Sequence, residues 1–199
     1  MTTITPEQTS SLLAAICMRD PFGPRDHAAI ELTAHTGLRV SELVQLNVSH
    51  VSANGVPRHT LHLPSAITKF AQARNVPLNE IARAAIARLL RFNQARGFST
   101  APAAPLLVTR KHERVSVRLI QRLVESLREK AGLDVPATPH SFRHQFAMGI
   151  MKATGNLRVT QQLLGHHRLN STQVYTCASP DDLAAAVALL VLSAPTPPA

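Results

Sequence analysis

The segment "HTGLRVSEL", His35 to Leu43, joins the end of one predicted helix to the start of another. An amphipathic stretch, "PRDHAAIELTAHTG", runs into Gly37, and glycine is the commonest residue just beyond a helix C-terminus. Arg39 follows two residues later, and Glu42 lies three residues beyond it at the start of "VSELVQL". Taken alone, this pair is typical of a surface ion pair at a helix start, so its meaning depends on the rest of the chain.

Helical periodicity dominates the sequence outside one short region. At the N-terminus, Thr5, Pro6 and Gln8 form a capping-box pattern that predicts a helix to about Met18. Ser116 and Gly132 bracket another helix, and further helical patterns are "NEIARAAIARLLRFNQARG", "TPHSFRHQFAMGIMKATG", "NLRVTQQLLG" and "SPDDLAAAVALLVL". Residues 47–77 alternate Val, His, Thr and Leu around turn residues, which predicts about three short strands. We therefore expect a mainly α fold with a small antiparallel β-sheet (α+β).

Positive charge is concentrated in the middle of the chain. The 199 residues contain 21 Lys and Arg against 12 Asp and Glu, a net charge of +9. Residues 51–150 hold 15 of the basic residues and 5 of the acidic ones. A field of this kind favours a polyanionic partner, most commonly nucleic acid.

The remaining composition excludes several classes of protein. Cys17 and Cys177 are too few for a disulfide framework and form no CxxC motif. The N-terminal "MTTITPEQTSS" lacks the basic and apolar regions of a signal peptide. The apolar run "LAAAVALLVL" is too short to span a bilayer, which favours a buried or docking helix. We expect a cytoplasmic, nucleoid-associated protein.

The segment "HSFRH" places three potential donors on one helical face. His140 and Arg143 are three residues apart, and His140 and His144 are four apart. Two histidines at this spacing can bind zinc, but the zincin motif has a Glu between them, whereas here the neighbouring Arg143 would oppose a dication. The arrangement therefore favours binding of an anion, and we expect no metal.

Two more segments complete the set. "ITKFAQARNVPL" puts Lys69 at a predicted hairpin turn, and "LLGHHRLNSTQVYT" contains Tyr175, the one tyrosine of the chain, nine residues after His166. The ordered motifs "TGLRVSEL", "KFAQARNVPL", "HSFRH" and "LGHHRLNSTQVYT" closely resemble those of the tyrosine recombinase (phage integrase) family. The resemblance covers roughly residues 6 to 192 and implies the catalytic-domain fold of that family.

The resemblance also implies roles for individual residues. Arg39 and Arg143 would clamp a phosphate, because guanidinium groups bind phosphate bidentately and stay charged. Tyr175 would be the nucleophile and Lys69 the general acid. His166 would donate to a non-bridging oxygen, and His140 would assist as a proton or hydrogen-bond partner. Glu42 and His144 would support the site. As exposed phosphate-binding groups, these arginines contribute little packing, so Arg39→Ala or Arg143→Ala should greatly slow cleavage but barely change stability.

The function that follows is site-specific DNA recombination or integration, as in a mobile element. The strands would be cleaved and rejoined through a 3′-phosphotyrosyl intermediate without a cofactor. Alternatives are nicking and relaxation of the topoisomerase IB kind and a non-catalytic DNA-binding remnant.

The partner would be double-stranded DNA, and the protein would be a homo-oligomer, a tetramer on two DNA sites and a monomer or dimer when free. Candidate DNA contacts are Arg74 (also a substitute cation for Lys69), Arg83, Arg88, Arg118 and Arg122.

We interpret residues 1–192 as a single catalytic domain without a separate N-terminal core-binding domain, followed by a disordered tail, residues 193–199. The resemblance further implies that the C-terminal helix docks on a neighbouring protomer in the DNA-bound assembly and packs within its own chain in a free monomer. The alternative is that it packs within its own chain in every state.

Overall fold

The architecture of a computed structural model, which describes residues 4–69, 71–165 and 180–190, is mainly helical. Its helices succeed one another along almost the whole described chain, and each is separated from the next by a short turn or by the small strands. The helices are α1 Pro6–Ala14, α2 Gly23–Thr36, α3 Val40–Val44, α4 Val48–Val51, α5 Glu80–Ala95, α6 Val117–Lys130, α7 Pro139–Thr154, α8 Leu157–Leu164 and α9 Pro180–Ala188. Among the described residues, no helix has both the length and the apolar character needed to cross a bilayer.

The strands lie between α4 and α5 and are all antiparallel. Strand β1, Ser52–Ala53, pairs with β2, Val56–Pro57. Strand β3, Thr60–Leu63, pairs with β4, Arg74–Pro77, in a register that sets Leu63 opposite Arg74. The predicted fold class is confirmed. The structure differs from the prediction in detail, because the strands form two separate two-stranded sheets and residues 48–51 are helical.

Helix α2 is the central element of the fold. Its Ala28, Ala29 and Leu32 pack into a cluster that includes buried side chains of α5. Its Ile30 and Ala34 belong to a second cluster, which α1, α6 and α7 complete. Because both faces of α2 are buried, its C-terminal end is held rigidly where α3 begins.

Most helix ends follow the predicted capping signals. Thr5 and Gln8 exchange side-chain to backbone hydrogen bonds of 2.9 and 3.2 Å at the start of α1, and Ser116 accepts from the backbone N–H of Leu119 at the start of α6. The predicted end of α1 at about Met18 is wrong, because the helix ends at Ala14. Beyond it, Ile16 turns into the core and its N–H donates to the Leu13 carbonyl.

Gly37 closes α2 in the left-handed region, with φ of +61°, and its N–H donates to the Thr33 carbonyl. A Cβ at this position would lie 2.5 Å from Cδ1 of the buried Phe146 in α7. Two requirements therefore coincide at Gly37, the left-handed backbone and the close approach of α7.

Replacement of Gly37 by alanine should lower the free energy of unfolding more than the same change at a glycine that meets only one requirement. Gly55 also has positive φ, +79°, but a Cβ there meets nothing within 4 Å. We expect a loss of about 1–2 kcal/mol for Gly55→Ala from backbone strain, and about 1–3 kcal/mol more for Gly37→Ala from the clash. Urea unfolding measures both, and equal losses would contradict the steric argument.

Candidate active site

The site is built around the junction of α2 and α3, where Glu42 is fully buried. One oxygen of its carboxylate, Oε2, accepts the backbone N–H of Arg39 at 2.9 Å, which satisfies a donor at the start of α3. The other oxygen, Oε1, accepts from Arg39 Nη1 at 3.2 Å. The residues quoted first in the sequence thus form a helix-start pair, but a buried one rather than a surface pair.

A second arginine reaches the same carboxylate from the β3–β4 hairpin. Arg74, the first residue of β4, donates from Nη1 to Glu42 Oε1 at 2.9 Å and from Nη2 to Glu42 Oε2 at 2.7 Å. This parallel pair of charged hydrogen bonds is the strongest geometry available to arginine and a carboxylate. It connects α3 to β4 across 31 intervening residues.

The ionisation of Glu42 reflects these contacts. Burial alone would raise its pKa, but the hydrogen bonds and charge of Arg74, and then those of Arg39, outweigh burial and leave the pKa below its usual value. Glu42 is therefore a carboxylate at neutral pH, which is the form that can hold two guanidinium groups.

Arg143 of α7 joins the cluster from the other side. It is 4% exposed, and it donates from Nη1 to the Gly37 carbonyl and from Nη2 to the Leu164 carbonyl, both at 2.6 Å. Burial and the nearby charge of Arg39 lower its pKa to about 9, against the opposing influence of Glu42. The guanidinium remains charged at neutral pH and ties the end of α2 to the end of α8.

The burial of Arg143 corrects one expectation. Phosphate-binding arginines were expected to be exposed, with little effect on stability when replaced. Arg143 instead has its side chain in the core and satisfies two backbone carbonyls, so its loss leaves buried acceptors without donors. Only Arg39, which is half-buried, retains part of the expected exposure.

The two histidines of "HSFRH" lie at the N-terminal end of α7. His140 is exposed, and its ring meets the half-buried His144 ring edge to face, with centroids 4.5 Å apart. Burial, followed by the charges of His144, Arg143 and Arg39, lowers the pKa of His140 below its usual value. His140 therefore belongs electrostatically to the arginine cluster. Within the described ranges, no group of three His, Cys, Asp or Glu side chains is arranged to hold a metal ion.

The other predicted catalytic residues divide into two groups. Lys69 is exposed on the connection between β3 and β4, after a short 3-10 helix at Ser65–Ile67, as its predicted place in a hairpin requires. His166 and Tyr175 lie outside the described residues. The chain leaves the described part at Gly165 and re-enters it at Pro180.

A cleft of about 780 Å³ lies beside the cluster, between the β3–β4 hairpin, α8 and α9. Both ends of the segment that carries His166 and Tyr175, Gly165 and Pro180, line this cleft, and so does Arg74. The described chain thus brings both attachment points of that segment to a cleft that Arg74 also lines.

The predicted DNA-contacting arginines lie in different environments. Arg118 and Arg122 are exposed on α6, one turn apart. Arg83 is half-buried on α5, and Arg88, on the same helix, forms an ion pair with Glu31 of α2 that balances its charge within the protein. As contacts to DNA, all of them remain predictions.

Sequence reasoning missed the pairing of Arg74 with Glu42. The motif that contains Glu42 gives no spacing signal for a partner more than thirty residues away. The available hint was chemical, since Glu42 is a lone acid among the motif cations and a buried carboxylate needs a cationic partner.

The helical fold and the buried arginine–glutamate cluster together define a catalytic domain of the tyrosine recombinase type. The chain matches the model of the phage integrase family over residues 2–181 and belongs to that family. It is 35% identical to the tyrosine recombinase XerC of Proteus mirabilis over 168 residues, which cover 83% of this chain and 52% of the relative.

Solved structures agree on the fold. The XerA recombinase superimposes with a TM-score of 0.71 at 27% identity, covering 92% of this chain and 62% of XerA. The XerH recombinase, at 22% identity and a TM-score of 0.68 over 84% of this chain and 48% of XerH, supports the fold alone. The chain spans about half the length of the curated relatives that it matches.

Removal of the Arg143 side chain should destabilise the protein strongly. Arg143→Ala leaves the Gly37 and Leu164 carbonyls buried without donors, which should cost about 1–3 kcal/mol for each group. The matched control Arg118→Ala removes an exposed arginine and should change the free energy of unfolding by no more than about 0.5 kcal/mol. Urea unfolding compares the two, and equal stability would show that Arg143 is not a structural tie.

Proposed function

We propose that this chain is the catalytic domain of a site-specific DNA recombinase that cleaves and rejoins DNA through a 3′-phosphotyrosyl intermediate. The observation that carries the proposal is the convergence of Arg39 and Arg143 beside the exposed His140, at the edge from which the Tyr175 segment departs. Family membership supports the same reaction.

The cationic cluster suits a phosphodiester. The guanidinium groups of Arg39 and Arg74 pair with one carboxylate, Glu42, and that of Arg143 lies within its electrostatic range, so these four described side chains carry an excess of two positive charges. A phosphodiester gains negative charge as its phosphorus becomes five-coordinate, and preorganised cations stabilise that charge more than they stabilise the ground state. In this role Arg39 and Arg143 hold the non-bridging oxygens.

The reaction is balanced by two proton transfers. The Tyr175 hydroxyl, whose usual pKa is about 10, gives its proton to the neutral His140 or to solvent, and its oxygen attacks the phosphorus. The bond from phosphorus to the 5′ oxygen breaks, and Lys69 gives a proton to that leaving oxygen, which becomes the free 5′-hydroxyl. Attack by a 5′-hydroxyl of another strand reverses these steps and releases Tyr175. The bond energy is conserved in the intermediate, so the reaction requires no cofactor.

The histidines complete the proposed site. His166 donates a hydrogen bond to a non-bridging oxygen, and His140 assists as a proton or hydrogen-bond partner. The lowered pKa of His140 favours its neutral form at physiological pH, in which one ring nitrogen donates and the other accepts. His144 supports the His140 ring by edge-to-face contact.

Replacement of the nucleophile gives the direct test. Tyr175→Phe should abolish covalent attachment to a nicked suicide substrate while leaving DNA binding intact, because only the attacking oxygen is removed. Denaturing gel electrophoresis of labelled DNA detects the adduct, and a gel-shift titration measures binding. Since the chain has no other tyrosine, an adduct that persists in this variant would contradict the proposed chemistry.

The proposed partner is double-stranded DNA, supported by the basic middle of the chain and by XerH, which was solved bound to its difH substrate.

Exchange between two sites requires four cleavages, so we propose a homotetramer on paired sites, with monomers or dimers in the free protein. In the described chain α9 packs against α7 and α8 of its own protomer, through Leu183, Ala186 and Val187. Docking of α9 on a neighbour in the assembly is part of the proposal, as is nucleoid association in the cytoplasm.

Salt dependence can locate the DNA-binding surface. We expect the double variant Arg118→Ala/Arg122→Ala to reduce the slope of log affinity against log salt by about 2, because each lost phosphate contact lowers it by about 1. Arg83→Ala/Arg88→Ala should reduce it less, since Arg88 is already neutralised by Glu31. Fluorescence anisotropy over a salt series measures both slopes. A larger effect of the α5 pair would place the duplex on α5, and no effect of either would place it elsewhere.

A further inference from the structure

We propose that Arg74 is a positioning residue of the active site. It binds the Glu42 carboxylate, so that Arg39 can bind the phosphate, and it supports the end of α8 at Gly165. The inference rests on the proposed function. It assigns Arg74 a role different from the DNA contact, or the substitute for Lys69, predicted from the sequence.

The contacts of Glu42 with its two arginines are unequal. Arg74 forms two parallel hydrogen bonds, of 2.7 and 2.9 Å, whereas Arg39 donates from its Nη1 to Glu42 Oε1 at 3.2 Å. Short, bidentate pairs of this kind are the stronger ones. Arg74 is therefore the principal counter-ion of Glu42, and Arg39 is the secondary one.

Removal of Arg74 would change the partner of Glu42. The carboxylate is fully buried, and a buried charge without a counter-ion is strongly unfavourable. Arg39 is the remaining cation hydrogen-bonded to Glu42, so it would turn both its charge and its donors toward the carboxylate. A guanidinium held in this way is lost to the phosphate, although its residue is unchanged.

The side chain of Arg74 has a second contact. A Cβ on Gly165 would lie 3.1 Å from Arg74 Cδ and 3.2 Å from its Nε and Nη1, so the end of the Arg74 stem and its guanidinium lie directly against this glycine. Gly165 has φ of +65° and ends α8, and Arg143 holds the adjacent Leu164 carbonyl. Arg74 and Arg143 together fix the point from which the Tyr175 segment leaves the described fold.

Two properties argue against the roles predicted from the sequence. A guanidinium does not give up its proton near neutral pH, so Arg74 is a poor general acid in place of Lys69. Both terminal nitrogens of Arg74 donate to the Glu42 carboxylate, which balances within the protein the charge that a contact to the DNA backbone would use.

The test compares cleavage chemistry with DNA binding in full-length variants. Arg74→Met keeps the stem against Gly165 but removes the charge, and Arg74→Met/Glu42→Gln removes both charges of the pair. Arg91→Ala, which removes an exposed arginine on α5, is the control. The rate of adduct formation on a nicked suicide substrate is measured at saturating DNA, and the Kd and its salt slope are measured separately.

We expect Arg74→Met to lower the rate by roughly 10- to 100-fold through displacement of Arg39, with Kd and salt slope unchanged. The double variant should cleave faster than Arg74→Met, because without the carboxylate charge Arg39 is released. Arg91→Ala should keep the wild-type rate. If Arg74→Met does not fold, the variant Arg74→Lys is measured in its place. An ammonium cannot span both carboxylate oxygens, so this variant should also lower the rate at unchanged Kd.

Three results would overturn the inference. The first is a wild-type cleavage rate in Arg74→Met, or in Arg74→Lys if that variant is used, and the second is a double variant that cleaves no faster than Arg74→Met. The third is a weaker Kd with a smaller salt slope, which would make Arg74 a phosphate contact. Failure of the proposed function gives a different result, because the wild-type protein itself would then form no adduct, and the inference would fall with it.

Discussion

The buried carboxylate of Glu42 is the constraint on which the arrangement of the site depends. A carboxylate with no exposed surface is tolerated only when cations and donors surround it. Arg39 supplies a backbone N–H and a guanidinium from the start of α3, and Arg74 supplies a bidentate guanidinium from β4. Because both arginines donate to both oxygens of the same carboxylate, Glu42 ties the β3–β4 hairpin to the start of α3. The same hairpin carries Lys69, so a buried electrostatic requirement determines where an exposed candidate catalytic residue is presented.

The cluster holds more positive charge than the fold requires. Arg143 satisfies the Gly37 and Leu164 carbonyls, a task that a neutral donor could also perform, and its pKa is lowered to about 9 by burial and by Arg39. Burial is the larger cause, and the influence of Arg39 shows that the neighbouring cations repel one another. A phosphate placed among them would relieve this repulsion. The cluster is therefore suited to a substrate whose negative charge increases in the transition state.

Local features of the fold could be predicted from the sequence, and non-local ones could not. The Thr5–Gln8 capping box, the end of α2 at Gly37 and the Ser116 cap each depend on residues within one turn, so their signals are contiguous. The early end of α1 depends on Ile16 entering a core built by distant helices. Likewise, the cationic residues of the site could be selected by motif, whereas the burial of Arg143 and the pairing of Arg74 with Glu42 arise from packing between segments far apart in sequence.

The two ends of the Tyr175 segment are anchored by different forces. At Gly165 the end of α8 is fixed by polar contacts, because Arg143 binds the Leu164 carbonyl and the Arg74 stem lies against the glycine. At Pro180 the chain enters α9, which is held by burial of apolar side chains such as Leu183 and Val187 against α7 and α8. Hydrogen bonds to buried carbonyls are directional and specify one position, whereas an apolar helix face can pack against any complementary surface. The upstream anchor is thus suited to hold the site in register, whereas the downstream anchor specifies its packing partner less strictly.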